Sequence, residues 1–365
     1  MRNFWRRHRV LHIWLAVDLL LLAAFFLARR QRPWMNALAD HVTGPLRRHI
    51  GELCYRTNLS VMEILCGILA GFAIAYLVGS IVSVAHARGH RRQRLYGAVL
   101  GAICVGLTIY VGVCFLWGVN YYTDSFQDQS GIHAEKVSES DLYRVTAYFA
   151  QRLNDTAGRV VRRGDGQFAV SRDQIFREST TAYSTVAREY PFLKFPDRVP
   201  KRMHFSKLMS LLDFSGVYCP FTGESNLNVD SPACLLPSTI AHELAHQRGI
   251  SSEQECNFLG VLASTTCGKA DYAYSGWLMG YIYLGNALYS ADRTGWRKVY
   301  SSLPVMVRAD LDANNAYWDQ FRGSEVKKVS NKVYDSFLKS YGEKKGLQSY
   351  GTVVDLLVTY YKNKI

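Results

Sequence analysis

Proline and charge are both scarce, with 9 prolines and 20% charged residues in a chain of 365. Disordered and collagen-like chains need more of one or the other and fewer aromatics than the 13% found here, so both classes are excluded. None of the 8 cysteines belongs to a CxxC pair, which disfavours a cysteine-zinc site. No internal repeat is evident, and no wall-binding repeat or propeptide signature appears. Acidic residues are the minority charge, 30 against 43 basic, and the resulting +13 points to an anionic partner. At roughly 150 residues per domain, the length allows about two hydrophobic cores.

A mean hydropathy of −0.06 suits a soluble protein, but the average hides a split, because the apolar residues gather in the first third. Residues 10–28 form 19 largely apolar positions with a single acid, Asp18, flanked by Arg2, Arg6, Arg7 and Arg9 before and Arg29, Arg30 and Arg32 after. That run is too long for the apolar part of a signal peptide and long enough to cross ~30 Å of hydrocarbon as a helix. Residues 60–85 and 95–117 are two more such runs, joined by a loop holding Arg88, Arg91, Arg92 and Arg94.

Three N-terminal transmembrane helices follow, in a membrane region spanning 1–117. The positive-inside rule places the arginine loop and the N-terminus in the cytoplasm. Everything after residue 118 then lies outside the cytoplasm, in a multi-pass protein of the cell membrane. Arg29, Arg30, Arg32, Arg47 and Arg48 count against that orientation, since it puts them on the outer side. GxxxG spacings at Gly67 and Gly71, and at Gly97 and Gly101, would let the second and third helices approach closely. Trp34, Leu38 and Val42 recur at helical spacing and suggest a short interfacial helix.

From 118 to 365 the pattern is dominated by a period of 3.6, so the expected fold class is mainly α, with at most a small β-sheet. Ser140 is placed to cap a helix to about Asn154, and Ser171 another to about Glu189. Tyr190 to Arg202, with three prolines, reads as a loop over the core. Phe214 to Asn228 reads as a turn or short edge strand able to line a cleft and pair with an extended peptide. Asp271 to Ser290 has the length of a fourth span, but its Asp, Asn, glycines and tyrosines favour a buried helix. After Arg293 further helices are expected, with a basic exposed side carrying Lys327, Lys328, Lys332, Lys339, Lys344 and Lys345.

The chemistry is concentrated in LPSTIAHELAHQRGI, residues 236–250. His242 and His246, four apart on a helix, present both imidazoles to one point, as a pair of metal ligands must. Glu243, ~100° round the helix, stays off the metal but near a water beside it, where a carboxylate can act as general base. Pro237 suits the first turn of such a helix and Gly249 its end. A catalytic zinc ion needs a third protein ligand and an open fourth position. Ser251 and Ser252 are placed to cap a next helix that offers Glu253 and Glu255, which point ~200° apart. Glu253 is favoured as third ligand, and Glu255 remains as the alternate. Asn257, four residues after Glu253, could orient a ligand from the second shell. Ser252 and Glu255 also have capping-box spacing. His133 and His204 have no partners at ligand spacing.

The run FSGVYCPFTGESNLN followed by LLPSTIAHELAHQRGISSEQECNFLGVL, after an N-terminal membrane region, resembles a bacterial domain-of-unknown-function family of membrane-anchored, zincin-like HExxH metallopeptidases. HExxH followed by ExxxN is also remotely similar to the gluzincin arrangement of HtpX-like and ImmA-like peptidases. That likeness implies one zinc ion on His242, His246 and Glu253, although Cys256 stands where Ala is usual. Only six residues separate His246 from Glu253. It further implies hydrolysis by a zinc-activated water, with Glu243 moving the proton. Tyr274 is one candidate donor to the oxyanion, and Asn226 and Asn228 are candidate side-chain contacts for substrate.

Of the cysteines, Cys256 and Cys267 on one helix would lie ~16 Å apart and cannot pair. A Cys219–Cys234 bridge could form in an oxidising compartment. The leading expectation is a membrane-anchored zinc metallopeptidase whose partners are membrane lipid and a peptide or protein substrate. A non-catalytic metal-binding receptor or scaffold, and a zinc amidase acting on cell-wall peptides, are the alternatives. An intact Glu243 argues against a purely structural metal. Nucleic acid is not expected as a partner, since the basic residues are scattered or juxtamembrane, where anionic lipid is the simpler explanation.

Overall fold

The computed structural model describes residues 6–341 and 350–365, so Arg2, Lys344 and Lys345 lie outside the described residues. Two units are distinguishable. The first runs to Arg56, resumes over Val61–Thr123 and takes in Pro220–Gly223, and the second holds Thr57–Ser60, Asp124–Cys219 and Glu224 onward.

Three helices of the first unit are long and apolar enough to cross a membrane: α1 (Arg9–Ala28), α2 (Val61–His86) and α3 (Arg91–Leu116). The single acid of the first span is accounted for by its neighbours, since Asp18 is buried and accepts a hydrogen bond from Thr108 of α3 at 2.9 Å. A polar side chain at this depth needs such a partner. The expected glycine contacts are realised unevenly. Gly101 receives the Tyr76 side chain of α2 and Gly97 the His8 ring, whereas space beside Gly67 and Gly71 is open. The segment after α1 is more helical than its spacing suggested, running as Arg32–Leu38, a π-helical turn Ala39–Thr43 and Gly44–Cys54. Arg29 donates to the Tyr122 hydroxyl at 2.7 Å, and Arg47 is buried over the Trp117 ring and donates to Asn120.

The second unit is helical apart from a three-stranded sheet of order β1-β3-β2, formed by β1 (Lys201–Arg202), β2 (Gly216–Cys219) and β3 (Glu224–Leu227). β1 is parallel to β3 and β2 antiparallel to it, with Tyr218 opposite Ser225, so β2 is an edge strand. The principal helices are α4 (Glu139–Ala157), α5 (Leu236–Gln247), α6 (Glu253–Thr266), α7 (Ala270–Ala291), α8 (Val305–Asp319), α9 (Glu325–Ser340) and α10 (Tyr350–Tyr361). The core collects apolar residues of α4 to α7 and α10, including Phe149, Leu153, Leu244, Phe258 and Trp277. α7 is the buried helix expected of its tyrosines and glycines, with Tyr272 and Tyr274 fully enclosed.

Three local expectations need correction. The cap of α4 is Ser138, whose hydroxyl accepts the Asp141 amide, not Ser140. Ser171 does cap a helix, but it ends at Glu178, because the Ser and Thr run that follows turns its hydroxyls onto carbonyls one turn back, as Ser179 does on Phe176. Ser252 sits at the start of α6 in extended conformation without a side-chain capping bond. The expected basic side of α9 is partly neutralised, Lys327 pairing with Asp213, Lys328 with Glu325 and Lys339 with Asp335.

Candidate metal centre

α5 begins with Pro237 in its first turn and has no side-chain cap of its own. Ser275 of α7 supplies the missing acceptor, taking the Ser238 amide at 3.0 Å. At the other end Gly249 adopts φ +93°, the left-handed turn that closes a helix. That turn has a chemical consequence. It folds the Ile250 carbonyl back to 2.8 Å from His246 Nδ1, so Nδ1 carries the proton and Nε2 keeps a lone pair for a metal. Arg248 seals the same end, buried over the Tyr183 ring, donating to the Leu244 and Leu193 carbonyls and pairing with Asp197 at 2.6 Å.

His242 Nε2 lies 3.3 Å from Glu253 Oε2, and His246 Nε2 lies 3.4 Å from Glu253 Oε1. The three side chains offer ligand atoms all within 4.8 Å of one another. For metal–ligand bonds of 2.0–2.1 Å in a tetrahedron, neighbouring ligand atoms stand about 3.3–3.4 Å apart. The two contacts fall on different oxygens of the one carboxylate and are each close to that edge length, so the two imidazoles and the carboxylate could hold a metal ion. Burial alone would raise the Glu253 carboxyl, but His246 and His242 beside it hold it well below the usual range. Burial alone would lower the His246 imidazole, and Cys256 and Glu253 raise it well above its ordinary value.

Glu243 points off this triad. The residue is 4% exposed, its Oε2 has no hydrogen-bond partner, and burial raises its pKa against the pull of His242 and His246. Strand β2 passes directly over it. A side chain at Gly216 would strike Glu243 Oε1 at 2.5 Å, and the Tyr218 amide donates to the carboxylate. Because the Asn228 amide pairs with Ser215 across the hairpin, alternation turns the Gly216 and Tyr218 backbone groups away from β3, the Tyr218 amide being the one spent on Glu243. Ser225 of β3 fixes the register of helix and sheet by donating to the Glu243 carbonyl at 3.1 Å.

The remaining candidates are dispersed. Glu255 turns away from the triad, and its carboxylate accepts the Phe126 and Gln127 amides at 2.9 and 3.1 Å. It thereby caps the short helix Phe126–Ser130, not its own. Asn257 makes no hydrogen bond to His242, His246 or Glu253 among the described residues. Tyr274 is fully buried with its hydroxyl already engaged by Asp310, which also pairs with Arg162 at 3.0 Å. Asn226 and Asn228 are buried and serve the sheet, Asn226 accepting from Ser60 and Asn228 donating to Ser210 and the Phe214 carbonyl. Cys219 and Cys234 are unbridged buried thiols. Cys256 is a thiol beside His246, with Sγ 3.3 Å from Nδ1 and its pKa pushed up to about 12 by burial.

One residue at the site was missed. Tyr334 of α9 donates its hydroxyl to Glu253 Oε1. The only sequence signal was an aromatic on the apolar side of an amphipathic helix 81 residues away.

Residues 44–358 match the family described as "Protein of unknown function (DUF3810)", and the chain belongs to that family. No curated protein matches it, and no solved structure does.

Proposed function

We propose that this protein is a membrane-anchored, zinc-dependent metallopeptidase. The observation that carries the reading is the convergence of His242, His246 and Glu253, whose ligand atoms lie within 4.8 Å of one another, with the Glu243 carboxyl beside them under strand β2. A zinc ion held by those three side chains would supply Lewis acidity and a water acidic near neutral pH. Glu243, buried and with Oε2 unpartnered, is suited to accept a proton from water and return it to the departing amine. Tyr334, whose hydroxyl donates to Glu253, would orient that ligand on the ion. The Gly216 backbone groups, which face away from β3, would contribute main-chain hydrogen bonds to an extended peptide.

The membrane orientation belongs to the same proposal. The arginine-rich loop 86–94 and the N-terminus face the cytoplasm, against anionic lipid, and the catalytic unit is external. Arg29 and Arg47, which counted against this orientation, are engaged by Tyr122, Asn120 and Trp117, so they need no lipid phosphate.

The test is metal analysis of detergent-purified protein with Glu243→Gln and Glu253→Ala variants, each assayed on a peptide library. Stoichiometric zinc, lost in Glu253→Ala, and cleavage lost in Glu243→Gln with zinc retained are expected. Cleavage that survives Glu243→Gln would reject the mechanism.

A further inference from the structure

Beside the metal ligands lies an open groove of about 680 Å³, in the size range of ligand pockets. Its walls are Phe214 on one side and Val326, Val329, Val333 and Phe337 of α9 on the other, with Tyr334 between them. Tyr334 links groove and metal site, since its ring lines the groove while its hydroxyl rests on Glu253. Phe214 packs edge-on against that ring at 5.6 Å, two residues before Gly216 on the strand over Glu243. The groove is therefore one tyrosine length from the metal ligands, and the chain that forms its Phe214 wall runs on into β2 over Glu243.

The walls are held in place. Asp213 is the one described non-glycine residue with positive φ, +69°, and such a conformation persists only where its surroundings enforce it. Here Lys327 and Asn331 of α9 bind its carboxylate, and Ser330 donates to the Leu212 carbonyl at 2.9 Å. The polar side chains at the groove are thus already satisfied, Ser330 by that bond and Glu325 by Lys328. No Lys or Arg is among the lining residues, so an anionic guest would lose water and gain no partner. Val329 and Val333 nevertheless remain 62% and 65% exposed, leaving apolar surface for a guest to cover.

We propose that this groove is the specificity pocket of the site and takes a bulky aliphatic or aromatic side chain next to the scissile bond. The preferred substrates are then peptides with a large apolar residue at that position. This inference rests on the metallopeptidase reading, and binding can test it without turnover. Acetohydroxamate, 4-phenylbutanoyl hydroxamate and a carboxylate-tailed hydroxamate of the same length are titrated into full-length zinc-loaded protein in detergent.

The phenyl compound is expected to bind about 10- to 100-fold tighter than acetohydroxamate, the gain for burying one such group, and the carboxylate compound no tighter. Val329→Asp with Val333→Asp, both at exposed positions, should abolish the gain while leaving zinc content and acetohydroxamate affinity unchanged. Val329→Trp, which fills the groove, should do the same. Zinc and acetohydroxamate binding with no phenyl gain, or a gain that survives both variants, overturns the pocket alone. Absence of zinc or of any hydroxamate binding overturns the metal reading and the pocket together. Variants that keep the gain but change oligomeric size or vesicle binding would assign the face to a second copy or to lipid, and overturn it.

Discussion

The second unit buries two clusters made from the same parts, a carboxylate, a tyrosine hydroxyl and nitrogen bases. In one, Asp310 accepts from Arg162, Tyr274 and the Phe168 amide, while Arg162 also donates to the Ala157 and Gly166 carbonyls and lies over the Tyr274 ring. Arginine stays charged at any pH the protein meets, both Asp310 oxygens are occupied, and Asp310 is 2% exposed. In the other, Glu253 accepts from Tyr334 and faces two imidazoles that can lose their protons, and its side chain is 20% exposed. Beside it His242 Nδ1 and Glu243 Oε2 have no hydrogen-bond partner. The first cluster pins α7 and α8 to the segment around Phe168. Each cluster keeps a buried polar atom without a partner, Arg162 Nη2 in the first, so the difference lies in the imidazoles and the partial exposure, which make the second the one that could hold an ion.

The comparison breaks most visibly under substitution of the acids. Glu243→Gln should lower peptide hydrolysis by about 10²- to 10⁴-fold, the usual worth of a general base, with zinc content and thermal midpoint unchanged. Asp310→Ala should do the reverse. It strands the Arg162 charge in a buried place and should cost about 3–5 kcal/mol of stability in denaturant titration, while the folded fraction still binds zinc. If Asp310→Ala removed zinc from well-folded protein, the division between pin and reactive site would be wrong.

Acidification sharpens the contrast. Zinc needs a neutral His246, and this imidazole is raised well above its ordinary ~6.5, so protons compete with the metal at higher pH than for a free histidine. Zinc affinity measured by competition should fall as pH drops, by about tenfold per unit for each proton taken up. In chelator-treated protein the sign reverses. The His246–Glu253 ion pair stabilises between the lowered carboxyl and the raised imidazole, and its contribution fades as pH rises through the latter.

What could be read in advance divides along a similar line. The three spans and the His242–Glu243–His246 constellation depend on one helix each, so length, hydropathy and a period of 3.6 suffice to place them. Glu253 was within reach because it opens the next helix after a single glycine turn. Glu255 was not, since its partners are the amides of Phe126 and Gln127, 129 and 128 residues away, and its spacing from Ser252 suggested a local cap instead. Tyr274 and Tyr334 could not be told apart by composition or spacing, because the acid each one binds is chosen by how α7, α8 and α9 pack.

That last pair provides the smallest and most pointed test. Tyr274→Phe leaves Asp310 its bonds to Arg162 and the Phe168 amide, so it should cost only about 1–2 kcal/mol of stability and leave zinc affinity unchanged. Tyr334→Phe removes a hydroxyl from a partly exposed carboxylate, so the thermal midpoint should barely move. If Glu253 is a metal ligand, as proposed, the change also releases its orientation, which is typically worth about tenfold or more in affinity. Two isosteric substitutions, each deleting one oxygen from a tyrosine–carboxylate pair, should therefore part company, one read by calorimetry and the other by zinc competition. Equal losses of stability with zinc affinity intact in both would make Tyr334 a second structural pin and leave the metal site without its hydroxyl donor.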